Sequence, residues 1–278
     1  MALAALLFGA FAPASSPPPH SAYVALGDSY TAGPLIPHQS DDPAGCMRSD
    51  HDYPHLVAAA LHVGLADVSC SGAGTEDLTS PQRLDDGQTN RPQLDALAPD
   101  TRLVTLGIGG NDIGFTELVQ ACIAPLPVGS PCHDRYVGPA GDRISQRIAA
   151  TAPRVAAVLA EAHRRAPSAR VYVIGYPAIL PDAGAGCWPV MPYAVGDVSW
   201  LRAKEKELNA MLAAQARAGG ATYVDTYGPG VGHHACSLPW DRWVEPLVPL
   251  SPAAPVHPNA RGMQGMAGVA VAAIGTAR

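Results

Sequence analysis

The stretch Val24-Ala25-Leu26-Gly27-Asp28-Ser29-Tyr30-Thr31-Ala32-Gly33 runs from an apolar segment into a glycine, an acid and a serine. The continuous apolar run reads as a strand covered on both faces, and Gly27-Asp28 as the turn that ends it. Ser29 therefore stands at the tip of a strand close to the start of the chain. A serine there is either an ordinary helix cap or a nucleophile held where a substrate can reach it.

The run Tyr23–Leu26 is followed by four more of the same character: Ala66–Cys70, Leu103–Ile108, Val171–Gly175 and Thr222–Asp225. Helical patterns alternate with them over Tyr53–Val63, Asp112–Ile123, Asp142–Arg165, Asp197–Ala218 and Gly262–Ile274. In the fourth of these helices Glu205-Lys206-Glu207 is expected on the solvent side. The alternation predicts an α/β fold built on a doubly wound parallel sheet. Pro34–Asp52 and Pro177–Gly196 fit neither pattern and are expected to be long ordered loops, a kind that usually serves function.

Open parallel sheets form their sites outside the carboxyl ends of the strands. Ser29 lies there after the first strand. Ser69-Cys70-Ser71-Gly72-Ala73-Gly74-Thr75 lies there after the second, and Gly107-Ile108-Gly109-Gly110-Asn111-Asp112 after the third. Acyl transfer by a serine needs donors for an oxyanion. Gly72 can offer a backbone N–H, with Gly74 as runner-up, and Asn111 a neutral side-chain amide. The plainer readings are a tight turn for the glycines and a helix cap for Asn111.

The base should be a histidine, whose ordinary pKa of about 6.5 suits proton transfer near neutrality. Of ten histidines, His233 or His234 after the fifth strand and His257 before the last helix are the serious candidates. His257 sits in Pro255-Val256-His257-Pro258-Asn259, where two prolines restrict the backbone and Asn259 can cap the following helix.

Composition narrows the partners. The net charge is −6 with no basic run, so nucleic-acid binding has no electrostatic footprint. No CxxC pair or Cys/His cluster has zinc spacing, so neither a metal nor a cofactor is expected. Residues 1–14 read as a signal peptide that lacks a positive n-region, and 15–21 as a Pro/Ser-rich leader. Residues 22–278 read as one domain. No run is long enough for a transmembrane helix. Six cysteines, an even number, suit an exported, disulfide-bonded protein.

Taken in order, Gly27-Asp28-Ser29-Tyr30-Thr31-Ala32-Gly33, the glycine block, Gly109-Gly110-Asn111-Asp112 and His257-Pro258-Asn259 resemble the GDSL esterases and lipases, the SGNH hydrolases. Within that family the chain most resembles the secreted, actinomycete-type enzymes with three disulfides. The resemblance implies a three-layer α/β/α flavodoxin-like fold with a five-stranded parallel sheet. It implies Ser29 as nucleophile, His257 as base, and the Ser29 and Gly72 N–H groups with the Asn111 amide as oxyanion hole. The motif is not the α/β-hydrolase elbow, because Gly27-Asp28-Ser29-Tyr30-Thr31 lacks the second glycine of G-x-S-x-G.

The chain departs from the family at one place. Most members carry Asp three residues before the histidine, where this chain has Ala254. The expectation is a Ser–His dyad in which the carbonyl of Ala254, or one adjacent to it, orients His257. Asp225 or Asp241 folding in is the alternative. Asp28, adjacent to Ser29, is expected to bond to the turn. The layout pairs the cysteines in sequence: Cys46–Cys70, Cys122–Cys132 and Cys187–Cys236.

The expected activity is a secreted, monomeric serine esterase or lipase acting on small-molecule or lipid esters through an acyl-enzyme. Leu35, Ile36, Ile113, Phe115, Trp188 and Trp240 are candidates for an apolar acyl groove. Carbohydrate acetyl esters and phospholipids are the runners-up, and a catalytically inactive binding module is the alternative from another class.

Overall fold

The computed structural model describes residues 22–276; the leader expected over 1–21 lies outside them. Five parallel strands form the central sheet: β1 Tyr23–Gly27, β2 Leu65–Asp67, β3 Leu103–Gly107, β4 Arg170–Ile174 and β5 Thr222–Val224. Their spatial order is β2-β1-β3-β4-β5, the flavodoxin-like order. Tyr23 pairs with Leu65 on one side and Leu103 on the other, and Gly27 aligns with Gly107. β1 and β3 are buried at every residue, which is why they read as unbroken apolar runs.

Alternate residues feed two cores. Val24, Leu26, Val104, Leu106, Val171 and Val173 share one with Val155 and Leu159 of α5 (Arg143–Arg165) and Leu208 and Leu212 of α6 (Val195–Ala218). Tyr23, Ala25, Leu103, Tyr172 and Ile174 share the other with Val57 of α2 (Tyr53–Leu61) and Met263 and Met266 of α8 (Ala260–Thr276). The result is the three-layer sandwich. Among the described residues, no helix is long and apolar enough to cross a membrane.

The expected elements are all present, with shifted ends, and two short helices, α4 (Pro131–Tyr136) and α7 (Tyr227–Gly230), lie between them. β2 stops at Asp67, although the Val68 and Cys70 N–H groups still reach the carbonyls of Ala25 and Gly27. The helix expected from Asp112 begins at Phe115 (α3, Phe115–Ala121), because Gly114 at φ 78° inserts a left-handed residue before it. Pro34–Asp52 and Pro177–Gly196 are largely loop. The three disulfides join Cys46 to Cys70, Cys122 to Cys132 and Cys187 to Cys236.

One expectation is overturned. Glu205 turns inward and is half-buried: it lines an apolar cavity and accepts the Ile179 N–H at 3.0 Å, while Lys206 stays exposed as expected. Helix α6 buries several polar residues with partners along this side. Asp197 accepts the N–H groups of Cys132 and His133, and Asn209 bonds both backbone groups of Tyr176. Hydrophobic periodicity therefore misplaces Glu205 but not Lys206.

Candidate active site

Ser29 opens a single helical turn, α1 (Ser29–Ala32), directly beyond β1. Gly27 must be glycine, since a Cβ there would lie 2.7 Å from the Gly107 carbonyl oxygen. Gln93 clamps the same residue, accepting its N–H at 2.7 Å and donating to its carbonyl at 2.9 Å. Asp28 caps the turn by accepting the Tyr30 N–H at 2.9 Å, and its other oxygen takes the Tyr176 hydroxyl. Tyr176 in turn accepts the Gly110 N–H at 2.8 Å. Asp28 is thus a structural acid tying the first block to the third. Burial raises its pKa to about 7, although the Tyr176 and Tyr30 bonds work against that shift.

Ser29 Oγ lies 2.7 Å from His257 Nε2. His257 Nδ1 lies 2.8 Å from the carbonyl oxygen of Pro255. A carbonyl can only accept, so Nδ1 carries the proton and Nε2 presents its lone pair to the serine. The orienting carbonyl belongs to Pro255, not to Ala254; the Ala254 oxygen instead accepts the His257 backbone N–H at 3.2 Å. That short turn places Val256 at φ 60°, an uncommon conformation for a β-branched residue. Tyr30 holds it by donating its hydroxyl to the Val256 carbonyl, and its ring packs 4.9 Å from that of His257. Burial lowers the His257 pKa, partly opposed by the Pro255 carbonyl.

Neither alternative acid bonds the His257 ring, whose partners are Ser29 and the Pro255 carbonyl. Asp225 accepts the N–H groups of Tyr227 and Gly228. The carbonyl of Asp241 bonds His233, whose ring stacks on Trp243.

The second and third blocks meet beside the first. Gly72 adopts φ 81°, a left-handed conformation that favours glycine. The Gly74 N–H is already given to Asp77 at 2.8 Å, whereas those of Gly72 and Ser29 take no acceptor among the described residues. Asn111 donates one Nδ2 proton to the Ala73 carbonyl at 2.9 Å, which leaves its second proton to point elsewhere. It does not cap α3, whose cap is Gly114. Asp112 locks the two blocks together by accepting from the Thr75 N–H at 3.0 Å and from its hydroxyl.

A buried network under His257 escaped the sequence reading. Asn259 accepts the Gly262 N–H at 3.0 Å, capping α8 as expected, and gives its amide to Glu245 at 2.6 Å. Glu245 also accepts the N–H groups of Leu250 and Ser251, and its own N–H donates to the His257 carbonyl at 3.0 Å. A signal existed: Glu245 is the sole charged residue between Arg242 and Arg261. Tyr176 and Gln93 left none, and Asp112 stood in the third block without a role.

Val256, Phe115, Ile113, Tyr193, Leu201 and Leu208 help line the apolar cavity beside His257. Of the six groove candidates, Ile113 and Phe115 line it. Ile36 belongs to the core on the opposite face of the sheet, and Leu35, Trp188 and Trp240 are exposed.

Residues 25–264 match the family described as GDSL-like Lipase/Acylhydrolase. Lipase 2 of Streptomyces coelicolor is 43% identical over 235 residues, covering 81% of this chain and 76% of that one. Among solved structures, phospholipase A1 from Streptomyces albidoflavus NA297 superposes with a TM-score of 0.74 at 28% identity, covering 91% of this chain and 98% of that one. The extracellular lipase of Streptomyces rimosus gives a TM-score of 0.74 at 29% identity, with the same coverage.

Proposed function

The chain belongs to the GDSL-like lipase/acylhydrolase family and is a carboxylic ester hydrolase; from that premise we propose that Ser29 and His257 form its catalytic dyad and that its substrates are lipid acyl esters. The observation that carries this reading is the Ser29 Oγ to His257 Nε2 contact at 2.7 Å, with Nδ1 of the same ring on a carbonyl. His257 takes the serine proton as Oγ attacks the ester carbonyl. The Ser29 and Gly72 N–H groups and the free Asn111 amide proton receive the oxyanion. The imidazolium protonates the departing alcohol. Water, deprotonated by the same nitrogen, then releases the acid from the acyl-enzyme. No step calls on a cofactor.

The surroundings favour a lipid over a sugar acetate. Residues 120–133, 183–196 and 246–256 contain no Asp, Glu, Lys or Arg, and they expose Leu126, Val128, Trp188, Val190, Val248 and Leu250. With the apolar cavity next to Val256 and His257, where burial pushes the lining Glu205 carboxyl well up toward its neutral form, this suits a neutral acyl chain. Relatives named lipase and phospholipase A1 agree with that choice. The missing carboxylate is the one feature that favours an inactive module, and the Pro255 carbonyl supplies the acceptor that His257 needs. Three disulfides support export to an oxidising compartment, and we take the working form to be a monomer.

Exposure to a small fluorophosphonate, followed by peptide mass spectrometry, tests the dyad. One adduct is expected on the Ser29 peptide, absent from Ser29→Ala. An unlabelled but folded wild-type protein would remove Ser29 as the nucleophile.

A further inference from the structure

Asp52, His55 and Asp67 form a cluster that the ester chemistry does not use. Asp52 caps α2: its Oδ1 accepts the His55 N–H at 2.9 Å and lies 2.7 Å from His55 Nδ1. Asp67 closes β2, and its Oδ1 accepts the Ser69 N–H at 3.0 Å. One potential ligand atom from each of the three residues lies within 4.8 Å of the others. The Asp52 side chain is 0% exposed. Its Oδ2 and that of Asp67 are both buried with no donor from any other described residue; the two carboxyl groups lie within hydrogen-bonding reach of each other, which together with burial pushes the Asp52 pKa well up.

A buried carboxylate oxygen with no donor is costly, and two that face each other add like-charge repulsion. The basic side chain beside Asp52 does not bond either one. Arg48 gives its guanidinium to the carbonyls of Ser69 and Asp42. A cation between the carboxylates satisfies both oxygens at once, in place of the proton that burial and Asp67 otherwise favour on Asp52, which is released to solvent as the ion binds. One imidazole nitrogen with two carboxylates suits zinc or manganese, whereas calcium and magnesium prefer oxygen alone.

We infer that Asp52, His55 and Asp67 bind a divalent transition ion, with zinc the best match. The His55 side chain is 39% exposed, which gives the ion a way in and room for a water ligand. The bound ion joins the start of α2 to the end of β2, just before the turn that carries Gly72. Cysteine-based spacing gives no sign of this donor set, which is divided between two elements and so runs against the expectation of no metal.

The test is calorimetric titration of chelator-treated full-length protein with zinc chloride, beside thermal unfolding with and without zinc. One ion per chain is expected at micromolar Kd or tighter, with a Tm rise of about 5 °C at a hundredfold excess over Kd. Asp67→Asn should abolish binding, and His55→Gln should weaken it about tenfold or more. Fluorophosphonate labelling of Ser29 reports that each variant is folded. The inference is overturned if wild-type protein takes up no stoichiometric zinc, or if a folded His55→Gln binds as tightly as wild type, since the ion would then sit on other histidines.

Discussion

His257 draws on a carbonyl where a carboxylate would hold a full negative charge. To fix the tautomer, any acceptor serves, and the Pro255 oxygen at 2.8 Å does so. To stabilise the imidazolium that forms during attack, a dipole gives less than a charge, and burial of His257 works in the same direction. The proposed reaction therefore leans on its oxyanion donors. Asn111→Ala removes one of them and should lower kcat by about a hundredfold or more, or roughly 3–4 kcal/mol of barrier, with little change in KM. The same substitution also loses the bond to the Ala73 carbonyl, worth only about 1 kcal/mol of stability. The rate loss thus exceeds the stability loss. Steady-state kinetics beside urea unfolding separates the two, and an equal small effect on both would make Asn111 a turn residue.

The loops that carry these residues are tied down by covalent links between elements. The disulfides close segments with sequence separations of 10, 24 and 49 residues. If chain entropy governs, losing Cys122–Cys132, Cys46–Cys70 or Cys187–Cys236 costs about 2.7, 3.4 or 4.1 kcal/mol respectively. Urea unfolding of the three paired Cys→Ser variants should give that order. The reverse order would mean that local packing sets each value. These links were legible from the positions of the cysteines in a correctly read strand order. So were β1 and β3, because a strand buried on both faces has no alternation to hide its apolar run. His257 was legible because two prolines and Asn259 mark its place. The clamps between blocks were not. Tyr176 to Asp28, Gln93 to Gly27 and Asp112 to Thr75 join residues 148, 66 and 37 positions apart, and no local pattern encodes such a pairing. Glu205 was misplaced because α6 buries polar residues against other elements, which blurs its amphipathic pattern.

Across the whole molecule, the acids divide into two groups with opposite effects on stability. Arg147, Lys204, Arg164 and Lys206 hold Glu117, Asp142, Glu161 and Asp182 below their usual carboxylate range. Their contribution is present at neutral pH and is lost as pH falls through their lowered pKa values in strong acid. Burial places Asp28 at about 7 and pushes Glu205 well up. An acid with a raised native pKa binds its proton in the folded state while the unfolded chain has already released it, from about pH 4 upward. Unfolding then releases protons across that window, so stability falls with rising pH at up to about 1.4 kcal/mol per pH unit for each such group. The contribution of Asp28 is complete below about pH 4 and lost through pH 7. Stability should therefore be greatest in mild acid, even though an uncharged His257 favours activity at higher pH. Urea midpoints measured from pH 4 to 8 test this. The wild-type midpoint should decline over the range, and Asp28→Asn, whatever it costs through the Tyr176 bond, should show a shallower decline. Parallel slopes in the two proteins would mean that Asp28 is already ionised in the fold, with the Tyr176 hydroxyl and Tyr30 N–H stabilising its charge outright.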